Sequence, residues 1–148
     1  MPTAPPAPPT VEDLKRSVEA LPPFVAAAQI ASAPIADAIK TVQESTTAKA
    51  AAVVAQLATS TATQIINQVT TAKAGDILGA MPVDKAGRVM EQMTTAKLEQ
   101  VLPSIPTKAL QDRLAEVSPA KQYDVKPQTL FQLLHKAPTE QLVKETPP

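Results

Sequence analysis

The tetrapeptide TTAK occurs three times, in TTAKAAAVVAQL at residues 46–57, TTAKAGDILGAM at 70–81 and TTAKLEQVLPSI at 94–105. Each copy begins 24 residues after the one before. That interval divides into two 12-residue units, and cutting the chain before Thr10 and at every twelfth residue gives nine consecutive units, the last ending at Val117. Because a fixed internal period is the signature of a repeat architecture, this repeat decides the fold.

Apolar residues occupy the same positions of every unit. The fifth position reads Leu14, Ala26, Ala38, Ala50, Ala62, Ala74, Ala86, Leu98, Leu110, and the ninth reads Val18, Ile30, Val42, Val54, Ile66, Leu78, Met90, Leu102, Leu114. The twelfth position is apolar in every unit except the third, where it is Ser45. The eighth position is apolar from Val53 to Val101. Positions 5, 8, 9 and 12 have the i, i+3, i+4, i+7 spacing of one helix face. Each unit is therefore predicted to be one short amphipathic helix.

The first position of each unit predicts where the helices begin. It holds Thr10, Thr46, Thr70 and Thr94, which are expected N-caps, and Pro22, Pro34, Pro82 and Pro106, which end one helix or begin the next. Helices of about eight to ten residues are marginal alone and need their neighbours. We therefore predict an all-α fold, a superhelical solenoid of short helices in 12-residue units that form 24-residue hairpins.

Proline-rich segments mark the ends of this single domain. Residues 1–9 and 144–148 are predicted linkers, the first of them disordered, around a nine-unit repeat domain at 10–117. SPAKQYDV at 118–125 begins like a TTAK unit but is four residues short, and the apolar pattern resumes after Lys126. We predict an irregular turn and a C-terminal capping helix over 118–143; an extended C-terminal arm is the alternative.

Composition excludes several classes of function. Fourteen basic and fourteen acidic residues give a formal net charge of zero, which argues against nucleic-acid binding. The chain has no Cys, so disulfides and thiolate metal sites are excluded while the compartment stays open. No signal peptide or transmembrane segment is evident, and both a cytoplasmic and a cell-surface or extracellular location remain open.

No residue pattern predicts catalysis, a cofactor or a metal site. His135 stands alone and is expected to be a surface or cap-packing residue, and no Ser or Thr has the partners of a catalytic triad. Glycines 75, 79 and 87 do not form a phosphate-binding loop and are attributed to close helix packing. Methionines 81, 90 and 93 fall in core positions. We therefore predict that the protein is not an enzyme.

GDILGAMPVDKAGRVMEQM at 75–93 combines an apolar pair, a short Met-Pro or Met-Thr break and a new helix that opens on x-x-K-A. This pattern resembles the helical hairpins of the N-terminal cytosolic domain of the MgtE magnesium transporters. It is also similar to the superhelical repeats of the flagellar rotor protein FliG and the motor chaperone MotE. The resemblance covers residues 46–117 well and 10–45 loosely.

The resemblance implies a right-handed all-α superhelix that serves as a regulatory or assembly surface and senses magnesium through acidic residues. This sequence departs from that pattern, because the acidic residues of the region 46–117 are interleaved with Lys and Arg; they are Asp76, Asp84, Glu91, Glu99, Asp112 and Glu116. With no membrane portion, transport itself is not expected here.

One surface feature recurs with the repeat. The fourth position holds Lys in every TTAK copy, in SPAK and at Lys85, and equivalent helices should align these side chains on one edge. The candidate partner-binding edge consists of Thr47, Lys49, Thr71, Lys73, Thr95, Lys97 and Lys121. The predicted function is a non-enzymatic scaffold or protein-docking module that binds protein partners or itself, within a larger assembly or multidomain protein. A regulatory magnesium sensor and a surface-layer or filament protein are the alternatives.

Overall fold

The computed structural model describes residues 9–125, and over that range every regular element is helical. The helices are α1 (Val11–Ala20), α2 (Pro23–Ser32), α3 (Ile35–Glu44), α4 (Thr47–Gln56), α5 (Thr59–Gln68), α6 (Thr71–Ala80), α7 (Val83–Gln92), α8 (Thr95–Val101), α9 (Thr107–Ala115) and α10 (Pro119–Asp124). A 3-10 helix, Leu102–Ser104, follows α8. The predicted all-α class with repeated short helices is confirmed.

The first seven helices each fill positions 2–11 of their 12-residue unit. The two remaining residues form an extended linker, as at Met81 (φ −77°, ψ 157°) and Pro82 (φ −54°, ψ 143°). Proline disfavours the helical region for the residue before it, so each proline at position 1 ends the preceding helix. Its carbonyl still accepts the first bond of the next helix, as from Ala86 to Pro82.

Three of the four threonines at position 1 cap their helices with the side-chain hydroxyl, as predicted. The hydroxyls of Thr70 and Thr94 accept the backbone N–H of Lys73 and Lys97, each at 3.3 Å. Thr10 and Asp13 form a reciprocal capping box. Thr46 stands at the same position, but its hydroxyl bonds to Glu19 and not to its own helix.

Two segments, 94–105 and 118–125, differ from what the sequence pattern predicts. In the unit 94–105, α8 ends at Val101 and a 3-10 turn follows, because Pro103 has no N–H to continue the α-helical ladder. Within 118–125, where we predicted an irregular turn, the structure has the six-residue helix α10, capped by Ser118. The predicted capping helix towards residue 143, the 144–148 linker, residues 1–8 of the N-terminal linker and His135 lie outside the described residues.

The predicted core positions are buried, except that Leu21 and Ala33 in the twelfth position are half-buried. Every residue of the fifth and ninth positions is at most 4% exposed, and the three predicted core methionines are at most 1% exposed. The polar exception in the twelfth position, Ser45, is also buried, and its hydroxyl donates to the Thr41 carbonyl at 2.7 Å. Thr41, buried in the eighth position, likewise donates to the Asp37 carbonyl. Buried hydroxyls are thus satisfied within their own helix.

Each helix packs against the helix two places along the chain, so the odd-numbered helices α1, α3, α5, α7 and α9 form one row, and the even-numbered helices α2, α4, α6 and α8 form another. The rows pack closely where glycine faces a neighbour. A Cβ on Gly75 would lie 2.6 Å from the Ser104 carbonyl carbon, and one on Gly79 would lie 2.6 Å from Pro106 Cδ. The prediction that these glycines serve close helix packing is confirmed.

Candidate functional site

The predicted edge lies along the even row. Thr47, Thr71 and Thr95 are the first residues of α4, α6 and α8, and all three are half-buried. Because α4 packs on α6 and α6 on α8, the three threonines occupy equivalent places on successive helices. The alanines that follow them, Ala48, Ala72 and Ala96, are exposed.

Most lysines of this edge are bonded within the chain. The Nζ atom of Lys97 donates to the Val69 carbonyl at 2.7 Å, and that of Lys85 donates to the Leu57 carbonyl at 2.6 Å. Lys73 donates to Ser45 and Lys121 to Met93 in the same manner. In every case the acceptor lies 28 residues earlier, at the twelfth position of a unit three units back.

These contacts explain why a basic residue occupies the first turn of a helix, where it opposes the local dipole. The accepting carbonyl belongs to the residue that closes another helix, and the end of a helix carries partial negative charge. A cation there forms a charge-assisted bond to a carbonyl that has no partner inside its own helix. Lys73, Lys97 and Lys121 are half-buried, so their ammonium groups do not project freely into solvent.

Lys49 differs from the other edge lysines. Its side chain is exposed. Within the part of the chain that the structure describes, no bond joins its Nζ atom to the carbonyl oxygen of Leu21, the residue 28 places earlier. Of the edge lysines, Lys49 is therefore the one whose ammonium group remains available to a partner.

Arg113 was not singled out from the sequence. It is 8% exposed, and its Nε and Nη2 atoms donate to the carbonyls of Leu78 at 2.7 Å and Met81 at 2.6 Å, while Nη1 donates to Ala109 at 3.2 Å. Met81 is the twelfth residue of its unit, and the residue 28 places later is Ala109, which cannot donate. Arg113, one helical turn further on, supplies the missing cation. We call the bonds from Lys73, Lys85, Lys97, Arg113 and Lys121 the cation–carbonyl bonds.

A second periodic contact joins position 10 of one unit to the backbone N–H at position 1 three units later. The acceptors Glu19, Gln43 and Glu91 bind the N–H groups of Thr46, Thr70 and Ser118 at 2.9, 2.7 and 3.0 Å. Asn67 occupies the same place in the series, but its side chain is one methylene shorter, and its buried Oδ1 accepts no hydrogen bond. The recurrence of Glu, Gln or Asn every 24 residues was the sequence signal for this contact.

The described residues hold no group of three or more His, Cys, Asp or Glu side chains that could bind a metal ion. Two side chains of α1 have shifted pKa values. The backbone hydrogen bond from Thr10 lowers the pKa of Asp13, and the hydrogen bond to Glu44 raises the pKa of Lys15. Both groups belong to surface contacts of the first helix.

Residues 9–125 also include no helix long and apolar enough to cross a membrane.

Short helices that recur every 12 residues, pack against the helix two places along the chain and are joined by periodic side-chain bonds to linker backbone define a helical-repeat protein. The chain belongs to the MgtE intracellular N domain family, whose family model matches residues 21–124. This match confirms the MgtE resemblance, while the likeness to FliG stays a prediction. A search of curated proteins found no match to the chain, and neither did a search of solved structures.

Proposed function

We propose that this protein is a non-enzymatic helical-repeat scaffold that docks protein partners as part of a larger assembly or a multidomain protein. The observation that supports it is that the recurring polar side chains form hydrogen bonds with backbone groups of the same chain. The cation–carbonyl bonds and the acceptors at position 10 are directed at the chain's own backbone, so the repeat uses its charged groups to hold neighbouring helices together.

The edge of α4, α6 and α8 is the proposed docking surface. With Lys73, Lys97 and Lys121 bonded to carbonyls, a partner there would contact the half-buried threonines, the exposed alanines beside them and the ammonium group of Lys49. Such a surface presents small side chains and little charge. It suits a protein surface better than a nucleic acid, because nucleic-acid binding needs a concentrated positive charge.

A proximity-labelling experiment with the chain in its native cells tests this docking surface. The triple variant Thr47→Glu, Thr71→Glu, Thr95→Glu places acid at three helix starts, where it favours the dipole and preserves folding. The charge-matched control, Ala36→Glu, Ser60→Glu, Lys108→Gln, changes exposed residues in the first turns of odd-row helices. We expect the labelled partners to be lost with the edge variant alone. Equal labelling by both variants would contradict the assignment of the edge.

Family membership favours a second candidate, a regulatory domain that senses magnesium. Hard cations are bound by clustered oxygen ligands, and a dispersed acidic surface would give only weak, unsaturable binding. Titrating MgCl2 at constant ionic strength while following backbone amide shifts separates the two candidates. Saturation at millimolar magnesium, with shifts confined to a few acidic residues, would favour sensing over a purely structural role.

A further inference from the structure

The cation–carbonyl bonds do not extend to the carbonyls that follow α1 and α2. Their acceptors are the carbonyls that follow α3 to α7, which belong to Ser45, Leu57, Val69, Met81 and Met93. The equivalent carbonyls of Leu21 and Ala33 accept no hydrogen bond from any of residues 9–125. The ends of α1 and α2 therefore lack the bond that joins each of the next five helices to a helix further along the chain.

The residues 28 places later explain the difference. For Ala33 this residue is Thr61, which lies at the fourth position of its unit, where α6 carries Lys73. A threonine side chain is too short for the contact that a lysine makes there. For Leu21 the residue is Lys49, whose exposed side chain makes no hydrogen bond to it. Neither carbonyl has a cation within hydrogen-bonding distance.

Two side-chain contacts hold α1 to the later helices instead. The Glu19 carboxylate accepts the backbone N–H of Thr46 at 2.9 Å and the Thr46 hydroxyl at 3.1 Å. Lys15 Nζ lies 3.1 Å from the Glu44 carboxylate. Within the described residues, no other side-chain hydrogen bond joins α1 or α2 to the helices that follow. Contacts at such exposed positions contribute little to stability.

No side chain of α2 bonds to another helix among residues 9–125. The Ser32 hydroxyl donates to the Ala28 carbonyl of its own helix at 3.1 Å, and Gln29 forms no hydrogen bond in this range. The buried residues Ala26 and Ile30 pack into the common core. Apolar packing therefore provides the side-chain attachment of α2 to the described stack.

The helices α1 and α2 depend on each other for this packing. Leu14 and Val18 of α1 belong to the same buried cluster as Ile30 of α2. The α1 helix packs directly against α2 as well as against α3 and α4. Removing α1 alone would expose apolar surface of α2 to water, and burial of such surface is what holds a helix of this length in place. The two helices should therefore leave the stack together.

We propose that α1 and α2 open as one cooperative unit while α3 to α10 stay folded, and that the contacts of Glu19 and Lys15 hold them closed. Proteins commonly open in such units, with a free energy below that of global unfolding. Opening uncovers the sides of α3 and α4 on which the two helices pack, and it frees Thr46, which precedes Thr47 of the docking edge. The opening is a property of this chain alone and does not depend on the proposed docking role.

Native-state hydrogen exchange of the full-length protein, followed by NMR at low urea concentrations, measures this opening. The slowest amides of α1 and α2 should share one opening free energy. It should lie below the value for the slowest amides of α5, α6 and α7. Its dependence on urea should also be weaker, because opening two helices exposes less surface than unfolding the whole domain.

Lys97→Met separates this opening from global unfolding. The bond from Lys97 to Val69 joins two helices of the part that stays folded. Its loss should speed exchange about fivefold in α5, α6 and α7, which exchange through global unfolding. Exchange in α1 and α2 should be unchanged, because the bond is intact in both the closed and the open state.

Glu19→Ala tests the contact that holds the two helices closed. It should speed exchange in α1 and α2 about fivefold, because the closed state alone loses a hydrogen bond. Glu19→Gln is the control and should exchange like the unaltered protein. A glutamine suffices at this position, since Gln43 accepts the equivalent N–H of Thr70 at 2.7 Å.

Thr61→Lys supplies the missing donor. Its Nζ should bind the Ala33 carbonyl as Lys73 binds that of Ser45, and exchange in α1 and α2 should slow about fivefold. Ser60→Lys is the matched control, because it adds the same charge one residue earlier at an exposed position. It should leave this exchange unchanged.

Three results would overturn the proposal. The first is an opening free energy of α2 that differs from that of α1 or equals that of α5, α6 and α7. The second is faster exchange of α2 in Lys97→Met, or unaltered exchange of α1 and α2 in Glu19→Ala. The third is equal exchange of α1 and α2 in Thr61→Lys and Ser60→Lys.

Discussion

The guanidinium of Arg113 donates from Nη2 to the Met81 carbonyl at 2.6 Å, which is the carbonyl that a lysine at position 109 would reach in the neighbouring units. Four units achieve this contact with a lysine at position 4, and one achieves it with an arginine at position 8. Two different residues at two different positions thus satisfy equivalent backbone groups, so the carbonyl at the end of these five helices is the feature that the contact serves.

Arg113→Ala should destabilise the domain by about 2 kcal/mol, because it leaves two buried carbonyls, Leu78 and Met81, without their donors. Adding Ala109→Lys should recover part of that loss by restoring the lysine bond to Met81. Urea unfolding of both variants measures the two effects. No recovery in the double variant would show that the lysine and arginine contacts are not equivalent.

Lys97→Met should lower the free energy of unfolding by about 1 kcal/mol, because the bond to Val69 is charge-assisted but half-exposed. Met keeps the apolar stem, so lost packing does not confuse the result. Lys49→Met is the control and should change stability by less than about 0.5 kcal/mol, since Lys49 is exposed and lacks the bond. Equal losses in urea unfolding would contradict the assigned role.

Gly87→Ala should destabilise the domain, although Ala is favoured over Gly in a helix by about 1 kcal/mol. The added Cβ would collide with the side chain of Glu116 on α9. Glu116→Gly removes that obstacle, so the double variant should recover most of the loss in a thermal melt. Gly75→Ala cannot be rescued in this way, because its Cβ would meet the backbone carbonyl of Ser104 at 2.7 Å.

Asn67→Gln should raise the free energy of unfolding by up to about 1 kcal/mol. The longer amide reproduces the Gln43 contact with Thr70, so its oxygen should reach the N–H of Thr94. Amide exchange at Thr94 should slow in the same variant. Asn67→Ala is the control for side-chain removal, and a Gln variant no more stable than Ala would contradict the predicted contact.

Acid should weaken the capping box of α1. The backbone hydrogen bond from Thr10 lowers the pKa of Asp13 from its ordinary 3.8, so the folded-state pKa lies below the unfolded value. The stabilisation is therefore present above pH 3.8 and is lost as the pH falls through the folded-state pKa. Comparing thermal melts of Asp13→Asn and the unaltered protein should show a difference near neutral pH that disappears in acid. A difference that persists in strong acid would contradict this linkage.

Much of the fold could be predicted from the sequence because a 12-residue period fixes local geometry. Helix length, linker position and the buried face follow from spacing and from residues such as Pro82 and Thr70, whose effects on the backbone are local. The break in α8 was not predicted, although its cause is equally local, since Pro103 cannot donate a backbone hydrogen bond. The sequence alone therefore determined the first seven helices, most of the core positions and the family resemblance.

Contacts between distant units were decided only by the tertiary structure. The sequence could align Lys73, Lys97 and Lys121 on one edge, but only the offset of neighbouring helices brings their amines onto carbonyls 28 residues away. Lys49, in the same place of its unit, is exposed. The same offset placed Arg113 on Met81. Spacing along one helix specifies which residues share a face, whereas the stacking of whole helices specifies what each face meets.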